Sequence, residues 1–96
     1  MSEQRPLAIS TRLQETERVI VTEWRFAPGA QTGWHRHAYD YVVICLTSGI
    51  LLAETSAGNV DMPLRLGQSY TRPAGVEHNI VNQGPTEFAF VEVELK

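Results

Sequence analysis

Gly67-Gln68-Ser69-Tyr70-Thr71-Arg72-Pro73-Ala74-Gly75-Val76-Glu77-His78-Asn79-Ile80-Val81-Asn82 is the stretch of this chain that constrains its fold most tightly. Gly67 permits a turn, Ser69 to Arg72 read as a short strand, and Pro73 with Gly75 fix a loop that aims His78 inward at the head of a second strand, His78 to Val81. Asn82 suits the bend that follows. The other two histidines stand upstream in Trp34-His35-Arg36-His37. Alternate side chains of a strand share a face, so His35 and His37 point the same way, about 7 Å apart along the backbone. Two imidazoles at that spacing can chelate one ion, and His78 is the histidine left to supply a third ligand from a neighbouring strand.

Helical periodicity is scarce outside these segments, whereas short β-branched and aromatic runs between turn residues recur along the whole length. Residues 18 to 26 alternate as a strand, with Val19 and Val21 on one face and Ile20, Trp24 and Phe26 on the other, ended by Pro28-Gly29. Trp34 to Thr47 is the longest extended stretch, closed by Ser48-Gly49, with Ile50 to Thr55 expected to return as its hairpin partner. Ala57-Gly58-Asn59 turns the chain into Val60 to Leu66, and Glu87 to Leu95 supplies the last strand after Gly84-Pro85. The class is all-β, and seven or eight short strands with tight turns predict a small barrel or jelly roll. Residues 1 to 15 are the least regular and are expected to be partly disordered or to form an extended N-terminal arm along a neighbouring subunit.

With 96 residues there is room for one domain, 1 to 96, and one core. A core this small is commonly supplemented by a metal, disulfides or a partner subunit. Cys45 is the sole cysteine, so no disulfide forms within the chain, and it reads as packing. A net charge of -3 with acids and bases interspersed offers no basic stripe to nucleic acid. No leader-like or membrane-length apolar run is present, and a cytoplasmic protein without a membrane partner is expected. Val42, Ile44 and Leu46 make an apolar alternate face that a homodimer would cover.

The two histidine segments resemble the paired signature motifs of the cupins. Gly29, five residues, His35-Arg36-His37 and then Gly49 follow the first; Gly67, five residues, Pro73, one residue, Gly75, two residues, His78, three residues and Asn82 follow the second without a gap. The 17 residues between them, Ile50 to Leu66, are about as few as such proteins have. The resemblance implies a conical double-stranded β-helix barrel with a divalent metal near its wider mouth. It also implies small-molecule ligands and, for chains of this size, dimers.

One feature of the family pattern is missing. The first motif usually carries a glutamate ligand three or four residues after its second histidine, where this chain has Tyr41 or Val42. Tyr41 shares parity with His35 and His37, Val42 would be presented by a bulge, and Asp40 faces away. Three neutral imidazoles leave the ion's charge uncompensated, which favours anionic co-ligands. Fe, Ni, Zn, Mn, Co and Cu all accept such a site. Tyr41 is the candidate catalytic residue, as proton donor, hydrogen-bonding neighbour or occasional ligand, with pocket wall as its other reading. Arg72 is a better candidate than Arg36 to meet an anionic substrate group, with a solvated surface arginine as its other and first reading, whereas Arg36 and Glu77 alternate away from the metal face. Trp24, Trp34, Phe26, Phe88 and Phe90 read as core or subunit interface. By analogy with three-histidine members of the family, a dioxygenase-type oxidoreductase acting on a small anionic or enolisable molecule is the leading expectation. A Lewis-acid isomerase or lyase, and a non-catalytic ligand-binding or sensing module, are the alternatives.

Overall fold

A computed structural model describes residues 4–96 and contains nine strands: β1 Ile9–Glu15, β2 Val19–Phe26, β3 His35–Arg36, β4 Asp40–Cys45, β5 Gly49–Thr55, β6 Gly58–Leu64, β7 Ser69–Arg72, β8 Glu77–Asn82 and β9 Phe88–Leu95. They form two antiparallel sheets of order β1-β2-β9-β4-β7 and β3-β8-β5-β6. The core lies between them: Phe26, Tyr41, Val43, Cys45, Phe88 and Phe90 from the larger sheet meet Leu51, Ala53, Leu64 and Ile80 from the smaller. No helix among the described residues is long and apolar enough to cross a membrane.

The expected barrel does not form, because neither sheet closes on itself or on the other. The edges explain this. β3 is only two residues long, β6 carries Pro63, which cannot donate to a ladder, and β1 is exposed along its whole length. The result is a two-sheet double-stranded β-helix whose faces pack like a sandwich. Residues 1–3 of the expected arm lie outside the described part. Beyond them, Leu7 bridges Gln31, and β1 runs along β2 of its own chain, with a register shift between Arg12 and Gln14.

Two other expectations are corrected. Trp34 to Thr47 is not one strand: it breaks at His37 to Tyr39, and β3 and β4 belong to different sheets. Nor are β4 and β5 a hairpin. β4 pairs with β7 and β9, β5 with β6 and β8, and Ser48-Gly49 carries the chain from one sheet to the other. Gly49 is required there by contact, since a Cβ would stand 2.9 Å from a ring carbon of Phe88.

Candidate metal centre

The three histidines converge from two elements. His35 and His78 are directly opposed across the β3–β8 ladder. His37 sits just past the end of β3, and its backbone is clamped to the loop before β8: its N–H donates to the Val76 carbonyl at 2.9 Å, and its carbonyl accepts from Gly75 N at 2.8 Å. Gly75 has φ +94°, which favours glycine. Asp40, facing away from the centre as its parity predicts, accepts from Ala74 N at 2.8 Å and pins the same loop from outside.

The imidazole of His35 is oriented by its neighbours. Its Nδ1 lies 2.8 Å from the Gly33 carbonyl, an acceptor, so Nδ1 carries the proton and Nε2 presents a lone pair. The Gly33 turn is held by Asn79, buried in β8, whose Oδ1 accepts from Gly33 N at 2.9 Å and from Thr32 Oγ1 at 3.4 Å. Asn79 Nδ2 in turn donates to Gln31 at 2.8 Å and Glu54 at 2.9 Å, and Glu54 is paired with Arg5 at 3.1 Å. A continuous polar network therefore runs from Arg5 to the ring of His35.

Nε2 of His37 lies 3.1 Å from Nε2 of His35 and 3.1 Å from Nε2 of His78. A single nitrogen cannot donate one proton well to two partners, so protons alone do not satisfy this contact, whereas a cation facing three lone pairs does. With metal–nitrogen bonds of about 2.1 Å, ligands about 90° apart stand about 3.0 Å from each other and tetrahedral ones about 3.4 Å. The two spacings at His37 fit imidazoles about 90° apart around one ion, as in an octahedral site with positions left for other ligands. Burial, reinforced by the facing imidazoles, holds His37 down to about 4; burial, then His35 and Arg72, do the same for His78. Both are therefore neutral, the ligating form, at physiological pH.

Tyr41 and Val42 divide as follows. Tyr41 is buried, and its ring stacks on His37 with centroids 3.8 Å apart, while Val42 lies on the outer face. Burial first, then Tyr70 and Glu92, raise the Tyr41 phenol well above its ordinary value, so it stays protonated. Arg72, exposed, lies over the Tyr70 ring at 4.5 Å from its centroid. Arg36 and Glu77 are exposed, and Cys45 is buried in the core. Trp34, unlike the other aromatic residues read as core or interface, is 58% exposed beside His35.

Two spaces adjoin the histidines. A cavity of about 20 Å³, room for about one water, is lined by His35, His78, Tyr41, Tyr70, Trp24 and Glu92 among others. A cleft of about 230 Å³ runs from His78 past Tyr41, Met62 and Val76 to Arg72. A larger groove of about 520 Å³ opens around Asn82 and Phe88, four residues further along β8, away from the histidines. The Asn82 side chain there is fully used within the protein, bonding Phe26 O, Thr86 O and Gly84 N.

Glu92 was not among the residues expected at the site. It is buried, and burial with Glu94 nearby raises its carboxyl to about 7 against a hydrogen bond from Trp24. Its signal in the sequence is parity: it shares a strand face with Phe88 and Phe90. The opposite face, Val91, Val93 and Leu95, is equally apolar, so alternation alone does not say which face is inside.

A double-stranded β-helix carrying three convergent imidazoles at these motif positions defines a cupin, and the chain belongs to that family, matching the cupin domain over residues 22–94. It is 56% identical over 92 residues to the beta-alanine degradation protein BauB of Pseudomonas aeruginosa, covering 96% of this chain and 97% of that one. A crystal structure of a cupin domain from Bordetella pertussis Tohama I is 58% identical, covers 99% of each chain and superposes with a TM-score of 0.96. A double-stranded β-helix protein from Klebsiella pneumoniae, at 21% identity, 98% and 81% coverage and a TM-score of 0.79, shares the fold.

Proposed function

We propose that the chain is a metal-dependent oxidoreductase of the dioxygenase type, and that its substrate is a small aliphatic carboxylate arising in the breakdown of β-alanine. The observation that carries this reading is the cleft. It leads from an exposed guanidinium, Arg72, along Val60, Met62, Ala53 and Val76 to the three-histidine cluster at His78. A carboxylate with a short apolar body matches those walls, with Arg72 as a bidentate anchor whose position is steadied by Tyr70. The 56% identity to a beta-alanine degradation protein of Pseudomonas aeruginosa supports a substrate from that breakdown. A β-amino acid whose amino group is transferred to a 2-oxo acid acceptor becomes a 3-oxo acid, an enolisable anion. A bound divalent ion would supply Lewis acidity and, if redox-active, a place for dioxygen. Around it, Tyr41 holds a proton at its phenol oxygen beside the cleft, and the apolar walls limit water.

The test is oxygen consumption by protein loaded anaerobically in turn with Fe(II), Mn(II), Co(II), Ni(II), Cu(II) and Zn(II), offered β-alanine, 3-oxopropanoate and related short carboxylates. Metal- and substrate-dependent uptake is expected, with Arg72→Gln raising KM about tenfold or more and changing kcat less. Turnover indifferent to oxygen would identify an isomerase or lyase instead. Binding without turnover for every metal would identify a ligand-binding module.

We also propose a homodimer formed through the outer face of the larger sheet. There Val19, Val21, Val42, Ile44, Val91 and Val93 stand side by side in register.

A further inference from the structure

The three imidazoles carry no charge to offset a divalent ion, yet a carboxylate stands beside them inside the fold. Glu92 occupies the inner face of β9, in a cross-strand row running Thr22, Glu92, Val43 and Tyr70. It lines the small cavity together with His35 and His78. Ring nitrogen of His37 and carboxylate oxygens of Glu92 and Glu94 all lie within 4.8 Å of one another. Nε2 of His37 is already turned to the other two imidazoles, and Glu92 groups with His37, not with the whole trio. The carboxylate therefore stands beside His37 and apart from the full trio of ring nitrogens. Glu92 is 9% exposed and its hydrogen bond comes from the Trp24 indole N–H, so its direction is fixed by packing.

We propose that Glu92 is a positioning residue of the metal centre: its carboxylate faces His37, holds that imidazole with its lone pair toward the ion, and supplies from β9 the negative charge that the first motif lacks on β4. A metal-ligating histidine backed by a carboxylate is the usual way an imidazole is oriented and made a stronger donor. Tyr41, stacked on the same ring, fixes its plane, and Glu92 fixes its rotation within that plane. Glu94 reaches the same neighbourhood from a half-buried place opposite Tyr41, nearer solvent, and serves as the internal comparison.

This inference rests on the metal-binding reading, and the experiment separates the two. Co(II) affinity is measured by chelator competition, with the visible absorption spectrum of the Co(II) protein, for the wild type, Glu92→Gln, Glu92→Asp, Glu94→Gln and His37→Ala. Glu92→Gln is expected to weaken Co(II) binding 10- to 100-fold and to shift the ligand-field bands. Glu92→Asp should recover part of the loss, and Glu94→Gln should lose less than threefold. The melting temperature of metal-free Glu92→Gln should not fall, which a purely structural role would not predict. Glu92→Gln binding Co(II) within threefold of wild type with an unchanged spectrum would overturn the proposal, as would equal losses in Glu92→Gln and Glu94→Gln. A wild type that takes up no Co(II), like His37→Ala, would overturn the metal reading itself and the proposal with it.

Discussion

His37 is fixed through its backbone by the Gly75-Val76 loop and through its ring face by Tyr41, and its edge meets the other imidazoles. Such enclosure has a measurable consequence in the metal-free protein. The folded chain keeps His37 and His78 neutral down to about 4, while the unfolded chain protonates them near 6.5. Their contribution is therefore complete above pH 6.5 and is lost as pH falls toward 4, on the order of 3 kcal/mol for the coupled pair. Glu92 acts in the opposite sense. Its carboxyl ionises near 4.5 when unfolded and about 7 when folded, so its contribution is complete below 4.5 and is lost as pH rises to 7. The two slopes partly cancel in the wild type. Glu92→Gln removes one of them: its stability relative to wild type should grow by roughly 2 to 3 kcal/mol between pH 4.5 and 7.5. Urea unfolding in chelator at several pH values checks this, and a pH-independent difference between the two proteins would refute it.

At the scale of elements, the crossing at Ser48-Gly49 decides how the sheets face each other. Gly49 lies against Phe88, itself 1% exposed and wedged in the core, so the ring has little room to yield to an added methyl. Gly49→Ala should cost about 1 to 3 kcal/mol, read from denaturant midpoints, with no change at the distant histidines. An unchanged midpoint would mean that Phe88 is free to move. The same crossing marks where the sequence stops being legible. Ser69–Arg72 and the head of β8 were readable because glycine and proline punctuate them at fixed spacing, and the three-histidine cluster followed from that. The break at His37 to Tyr39 was not, because Trp34 to Thr47 contains no glycine or proline and every residue in it is compatible with an extended chain. Which strands pair is a non-local matter. A turn signal such as Ser48-Gly49 is the same for a hairpin and for a step between sheets, and Glu92 stayed hidden because both faces of β9 are apolar enough to be the inner one.

For the whole molecule, the extents of 42 × 27 × 20 Å are those of an elongated body, with β1 carrying Ile9 and Leu13, 67% and 53% exposed, at the edge of the larger sheet. The outer face of that sheet is a second apolar surface. Val93 is its centre, paired with Val21 on one side and Val42 on the other, and Ile44 with Val91 forms the next row. A sheet face of branched aliphatic residues is suited to pack on a copy of itself about two-fold symmetry, each row meeting its equivalent. Light scattering at micromolar concentration should then give twice the 10.8 kDa of one chain. Val93→Glu would place a charge at the centre of that contact, facing its own copy, and should give monomers whose far-ultraviolet circular dichroism is unchanged, because the side chain points away from the core. A wild type of monomer mass would remove the proposed dimer. A Val93→Glu variant that remains dimeric would move the interface to another exposed apolar surface, such as the β1 edge at Ile9 and Leu13 with Leu7 just before it.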